Sequence, residues 1–260
     1  MITRYAPTPS GFLHLGNLVN FALTARLAQE SHAEIVLRID DADTERIRQV
    51  YVEDVFDALG WLQLPWTIGP RSVDEVPQWS QRARLSEHWQ AAEALRDLGK
   101  AYVCECTRVQ WSTYEGPDCP RGCSSRGLTL TPGTNALRFD VSGFRHVVLW
   151  RREDQPSYHL ASLVDDDHFG VDLVVRGADL EASTEIQRAL SRELPGSQFH
   201  SAKVVHHAIL TDSHGAKLSK SAGTSAHPMH RTDLVRDQIQ EHVDQMVGAM
   251  SAGRPRSPEN

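Results

Sequence analysis

The chain has 260 residues, 40% of them hydrophobic and 23% charged, which suits one good core or a main domain with a smaller insertion and needs no disulfide staples. No run of about 18 apolar residues occurs, and the N-terminus MITRYAPTPSG lacks the apolar core of a signal peptide; no membrane span is expected, and the compartment expected is the reducing cytoplasm. A formal net charge of −7 argues against a non-specific nucleic-acid binder, which carries a basic face, although a local basic groove fits on an acidic protein.

In chain order, residues 2–6 are predicted as a strand, 7–11 as a proline-stiffened turn, and 17–30 as a helix with Leu18, Phe21, Leu23 and Leu27 near helical spacing. AEIVLRI (33–39) reads as a strand buried on both faces, with Asp40, Asp41 and Asp43 directly after it. Helical patterns follow over 46–59 and 79–98. Residues 100–150 change character: they hold all four cysteines, a Pro/Gly/Ser/Thr-rich stretch at 116–134, and two predicted strands at 136–141 and 146–150. Beyond them come a helix at 157–165, a strand at 171–177, a helix at 183–193, a strand at 202–210 and a last helix at 232–250, before a polar tail.

Strands alternating with helices imply a doubly wound, Rossmann-like α/β parallel sheet, in which ligands bind beyond the carboxyl ends of the strands. The chain is expected to divide into a first catalytic half (1–99), an inserted subdomain with the cysteine cluster (100–150), a second catalytic half (151–225) and a C-terminal helix and tail (226–260).

Two motifs carry chemistry. In APTPSGFLHLGN (6–17) a strand ends in a turn and a helix begins beside His14 and Gly16. Backbone N–H groups and the helix dipole at such a start favour a phosphate. Gly16 leaves room for close approach of a nucleotide, and His14 can donate to phosphate oxygens as charge builds on them. The second motif is KLSKS (217–221), in which Lys217 and Lys220 flank a serine, as suits a clamp on a triphosphate. Alone, each motif is also read as a surface turn or a solvated lysine loop.

Taken together, in this order and separation, HLGN and KLSKS resemble the HIGH and KMSKS signatures of class I aminoacyl-tRNA synthetases. RYAPTPSGFLHLGN, LRIDDADTER, SYHLASLVDD, VVRGADL and GAKLSKS are similar to successive blocks of the glutamyl-tRNA synthetase catalytic domain, from Ile2 to about Ser221. Discriminating members of that family continue into a large helical anticodon-binding region, whereas only residues 222–260 follow the second signature here. That short architecture, with the cysteine cluster, resembles the glutamyl-Q tRNA(Asp) synthetases, truncated paralogues that activate glutamate and load it on the queuosine base of tRNA(Asp).

The resemblance implies glutamate, ATP with Mg²⁺, and tRNA as partners of a monomeric enzyme, and it implies roles residue by residue. Arg4 and Arg176 would hold the substrate side-chain carboxylate, a fork-shaped, charge-assisted pairing, with Ala6, Thr8 and Tyr158 completing the pocket. Asp40 stands where the family has glutamate facing the α-amino group, and its reach is shorter by about 1.5 Å, one bond length. Ser162 replaces a frequent asparagine. His14, Gly16, Asn17 and Lys220 would contact ATP, with His14, Lys217 and Lys220 on the reacting phosphates. Asp165 and Asp166 match a block expected to orient the pocket rather than react. Activity on a small amine or carrier protein, or a regulatory protein without catalysis, stay open as alternatives.

Cys104, Cys106, Cys119 and Cys123 all fall between positions 104 and 123. In a reducing compartment this reads as a metal site rather than two disulfides, and four thiolates suffice for a closed, structural, tetrahedral zinc site. The glutamyl-Q pattern instead has CxC, a tyrosine and one cysteine, which Tyr114 and Cys119 echo. The fourth ligand is therefore Tyr114 or Cys123, with Cys123 favoured as the softer donor.

Overall fold

A computed structural model describes residues 1–116, 118–140, 146–210 and 227–252. The chain forms two compact units, Met1–Trp79 with Asp172–Glu181 and Lys203–Asn260, and Ser80–Val171 with Ala182–Ala202.

The first unit is built on parallel strands. β1 (Ile2–Tyr5) pairs with β2 (Glu34–Leu37), and β6 (Leu173–Gly177) with β7 (Lys203–His207), both in parallel register. Strand β6 runs beside β1, with the Asp172 N–H donating to the Ile2 carbonyl at 3.0 Å and the Ile2 N–H to the Asp172 carboxylate at 2.7 Å. Val36 makes a further parallel bridge to Ile68. Because the strands share a direction, their carboxyl ends open on one edge. Burial on both faces explains why they read as unbroken apolar runs.

Helix α1 (Leu15–Ser31) buries Leu18, Val19, Phe21 and Leu23, and ends where His32 adopts a left-handed conformation (φ 50°) and its N–H bonds the carbonyls of Ala28 and Gln29. Helix α2 (Gln49–Trp61) buries Val52, Val55, Ala58 and Leu59, and the short α3 (Val76–Trp79) buries Val76. Helix α8 (Asp233–Ala252) lays Ile239, Val243 and Met246 into the same core, against α1. Each of these side chains larger than alanine contributes about 1.5–3 kcal/mol by leaving water.

The second unit contains α4 (Leu85–Asp97), α5 (Arg108–Thr113), α6 (Tyr158–His168), α7 (Glu181–Glu193) and an antiparallel sheet of β3 (Ala101–Cys104), β4 (Ala136–Phe139) and β5 (Val147–Trp150) in the order β3-β4-β5. A register shift at Leu137/Arg138 bends β4 against β5.

The elements that differ from the sequence reading include the short helices α3 and α5, the helix expected over 79–98, and strand β3. The continuous helix expected over 79–98 is broken: α3 ends at Trp79, the Ser80 hydroxyl accepts from the Arg82 N–H, and a 3-10 turn over Gln81–Arg84 precedes α4. The turn aims Gln81 and Arg84 at a buried carboxylate, Asp165, a tertiary partner that helical periodicity does not register. Strand β3 was not expected either. AYVC is four residues long, too short to stand out from a cysteine-bearing segment, and it exists because β4 pairs with it.

Candidate functional site

The carboxyl edge of the parallel strands gathers the residues of the first motif. The chain leaves β1 at Tyr5, passes the exposed Thr8 and re-enters as α1 at Leu15. His14 is the N-cap residue of α1, in extended conformation, and its N–H donates to the Asn17 side-chain oxygen at 3.1 Å. Asn17 thus satisfies a backbone donor at the helix start, a local duty beside the nucleotide contact expected of it. Gly16 has a packing reason: a Cβ there would lie 3.1 Å from the His14 ring atoms Cε1 and Nδ1.

The two arginines expected on the substrate carboxylate lie on strands β1 and β6. Arg4 is 5% exposed and Arg176 is 3% exposed. Arg4 Nη1 donates to the carbonyl of Val175, the residue before Arg176, at 3.4 Å. Asn20 of α1 donates to the same carbonyl and contacts His207 Nε2 at 3.0 Å, so α1 is tied to β6 and β7 next to Arg176. Asp40 follows β2 on the same edge, its N–H bonded to the Pro7 carbonyl. Its carboxylate is clasped by Arg38, Nε to Oδ1 at 2.6 Å and Nη2 to Oδ2 at 3.1 Å, with both side chains buried. The shortened acid is therefore held by a fork-shaped internal cation.

In the second unit Tyr158 opens helix α6 and is 42% exposed, while Ser162, one turn on, is buried. Asp165 of the same helix is fully buried and takes three donors: Gln81 Nε2 on Oδ2 at 2.8 Å, and Arg84 Nε and His88 Nε2 on Oδ1, each at 2.9 Å. This carboxylate fastens the turn before α4, and α4 itself, to α6. Lys217 and Lys220 lie outside the described residues.

The four cysteines converge. Their sulfurs lie within 4.8 Å of one another and all are buried, with Cys104–Cys119 at 3.7 Å, Cys106–Cys119 at 3.4 Å and Cys106–Cys123 at 3.8 Å. A tetrahedral metal with bonds of about 2.3 Å to sulfur has sulfur–sulfur edges of about 3.8 Å, so the spacing fits that geometry. Strand β3 supplies Cys104, and the chain up to α5 supplies Cys106. Cys119 and Cys123 flank a turn closed by the Gly122 N–H on the Cys119 carbonyl, with Gly122 left-handed at φ 60°. Tyr114 is exposed with its ring over Gly116, so the cluster of four thiols forms without it. Burial pushes the Cys104 and Cys106 thiols up. At Cys119 burial acts the same way, but backbone N–H groups of Arg121 and Cys123 and the neighbouring thiols outweigh it and bring the group down to about 7.

Motif reading overlooked Asp54, a 4% exposed acid on α2. Its one sequence signal is an acid among the apolar positions Val52, Val55 and Leu59. His207, the last residue of β7, is buried as well.

A parallel layer with a histidine-capped helix and two buried arginines toward its carboxyl edge is the arrangement of an open α/β sheet, the kind in which ligands bind beyond the strand ends. The chain belongs to the family of class I tRNA synthetases (E and Q), catalytic domain, which it matches over residues 1–119 and 134–247, and its fold is the Rossmann-like α/β fold of those domains. It is 32% identical over 257 residues to glutamate–tRNA ligase 1 of Roseobacter denitrificans, covering 86% of this chain and 56% of that protein. With glutamate–tRNA ligase of Dehalococcoides mccartyi it shares 30% identity over 250 residues, covering 86% and 51%. The chain thus spans about half the length of the curated relatives it matches. The glutamate-tRNA synthetase structure from Elizabethkingia anophelis superposes with a TM-score of 0.70 at 21% identity, over 87% of this chain and 54% of that one. Mycobacterium tuberculosis methionyl-tRNA synthetase does so with a TM-score of 0.61 at 14% identity, over 93% and 63%; both likenesses speak for the fold. Among the described residues no helix is long and apolar enough to cross a membrane.

Proposed function

We propose that this chain activates glutamate with ATP as the adenylate and transfers it to tRNA, the acceptor being queuosine in the anticodon of tRNA(Asp), as a cytoplasmic monomer. The observation that carries the amino-acid choice is the pair of buried arginines, Arg4 and Arg176, on strands β1 and β6. Two buried guanidinium groups on neighbouring strands call for an anionic side chain, which glutamine does not supply. The curated relatives named glutamate–tRNA ligases point the same way.

In this reading the glutamate α-carboxylate attacks the α-phosphorus of ATP, an oxygen–phosphorus bond forms, and pyrophosphate leaves. The N-terminus of α1 faces the phosphates, and His14 donates to their oxygens as charge grows. Lys217 and Lys220 clamp the pyrophosphate, and Gly16 and Asn17 complete the nucleotide site. Ala6 and Thr8 line the amino-acid pocket and Asp40 faces the ammonium, while Tyr158 is assigned to the amino acid on the resemblance of its sequence block alone. Mg²⁺ travels with the ATP phosphates and offsets their charge. No protein nucleophile is needed: an acceptor hydroxyl then attacks the adenylate carbonyl and AMP leaves. Residues 100–150 form the insertion that meets the tRNA. Cys104, Cys106, Cys119 and Cys123 would hold a zinc ion there whose closed thiolate shell leaves no position for water, so its contribution is structural.

The test is ATP–pyrophosphate exchange across the amino acids without tRNA, followed by transfer of labelled glutamate to tRNA(Asp) with and without queuosine. Exchange with glutamate alone, then labelling only of the queuosine-bearing tRNA, is the expected result. Exchange with a different amino acid would overturn the glutamate assignment and implicate the Arg38-clasped Asp40. Labelling that ignores queuosine would overturn the acceptor.

A further inference from the structure

Asp54 is used by no step above, yet it occupies a position where an apolar side chain belongs. It lies on the buried stripe of α2 beside Val55. A carboxylate there is strongly disfavoured unless each oxygen is paired. Both are paired. Oδ2 accepts the Leu13 N–H at 2.8 Å, and Oδ1 takes the Arg231 guanidinium. The same Arg231 nitrogen donates to the Asp54 backbone carbonyl at 3.0 Å.

The places this carboxylate joins are specific. Leu13 immediately precedes His14, the N-cap of α1, so a charge-assisted bond fixes the peptide that leads into the nucleotide turn. Arg231 stands two residues before α8, which packs on α1. Apolar packing alone would fill the stripe of α2 at lower cost. What a carboxylate adds is a directional hold on one N–H group, with its other oxygen oriented by a bonded cation. We infer that Asp54, braced by Arg231, is a positioning residue that sets the turn carrying His14 against the ATP phosphates. The inference rests on the function proposed above.

Three variants separate the contacts. Asp54→Asn keeps an oxygen for the Leu13 N–H but gives up the charge facing Arg231, Asp54→Ala removes both, and Arg231→Met removes the brace. Exchange kinetics are measured below the melting temperature of every variant, checked by circular dichroism. Asp54→Ala is expected to lower kcat/KM for ATP by about 100-fold, the scale of a misplacement of about 1 Å, and to leave KM for the amino acid within about twofold. Asp54→Asn should fall between it and wild type. The Asp54→Ala/Arg231→Met double variant should be no worse than Asp54→Ala alone, since one contact carries both effects. Equal losses for both substrates, or a lowered melting temperature with unchanged kcat/KM for ATP, would reduce Asp54 to a structural residue. If wild type exchanges with no amino acid, the functional reading fails separately, and calorimetric ATP binding decides the inference: weaker binding by Asp54→Ala supports it, and equal or absent binding overturns it.

Discussion

Replacing Asp165 by asparagine tests whether this acid of the VDD block is part of the framework or part of the chemistry. Asp165 and His88 are both fully buried, and the Arg84 side chain is 7% exposed. Three donors converge on two carboxylate oxygens, Gln81 on one and Arg84 with His88 on the other. Asparagine keeps a single oxygen and turns an NH₂ group toward the remaining donor. Stranding one buried donor costs about 1–3 kcal/mol, and removing the charged partner of a buried cation costs about 3–5 kcal/mol in all. For a chain of this size each kcal/mol lowers the melting temperature by about 2–4 °C, so Asp165→Asn should melt roughly 10 °C below wild type. The assay is thermal unfolding by circular dichroism, with urea unfolding as a second measure. A melting temperature within about 2 °C of wild type would refute the network argument. If exchange activity collapsed at the same time, Asp165 would belong to the chemistry instead.

Arg176→Lys should raise KM for glutamate by about 10–100-fold, because a point charge replaces a planar fork that meets a carboxylate with two bonds; a titration of exchange against glutamate reads it, and an unchanged KM would remove Arg176 from the pocket. Gly16→Ala places a methyl 3.1 Å from the His14 ring, so kcat should fall about tenfold by displacement of a catalytic donor, while the helix gains about 0.5–1 kcal/mol from losing its glycine. Activity and stability moving in opposite directions is the signature to look for; a joint fall would mean a packing defect. One zinc per chain is expected by metal analysis, abolished by Cys123→Ser and retained by Tyr114→Phe, and the reverse pattern would make Tyr114 the ligand. Because zinc binds thiolates, protonation competes with it. With Cys119 at about 7 and Cys104 and Cys106 pushed up by burial, zinc affinity should fall steadily as pH drops through 7; a flat profile would exclude thiolate ligation.

The local grammar of the chain was legible wherever one short stretch carries its own reason. Apolar runs such as AEIVLRI announce strands buried on both faces, and the APTPSGFLHLGN turn announces a helix start with a histidine beside a glycine; the structure places β2, α1 and the His14 cap there. The crowding of four cysteines into one stretch foretold the thiol cluster for the same reason, since loop closure over so few residues is easily met. What residue order did not carry is pairing between distant positions. AYVC becomes a strand only because ALRF lies against it, and the predicted helix over 79–98 breaks because Gln81 and Arg84 turn to reach Asp165, more than 80 positions away. Asp54 looked like one more acid on a helix until folding set it between Leu13 and Arg231. Nothing along the chain announced the Arg38 fork that folding places on both oxygens of Asp40. Periodicity and turn chemistry act over a few residues and can be read along the chain, whereas a buried charge takes its meaning from partners that only the folded backbone brings within hydrogen-bonding reach.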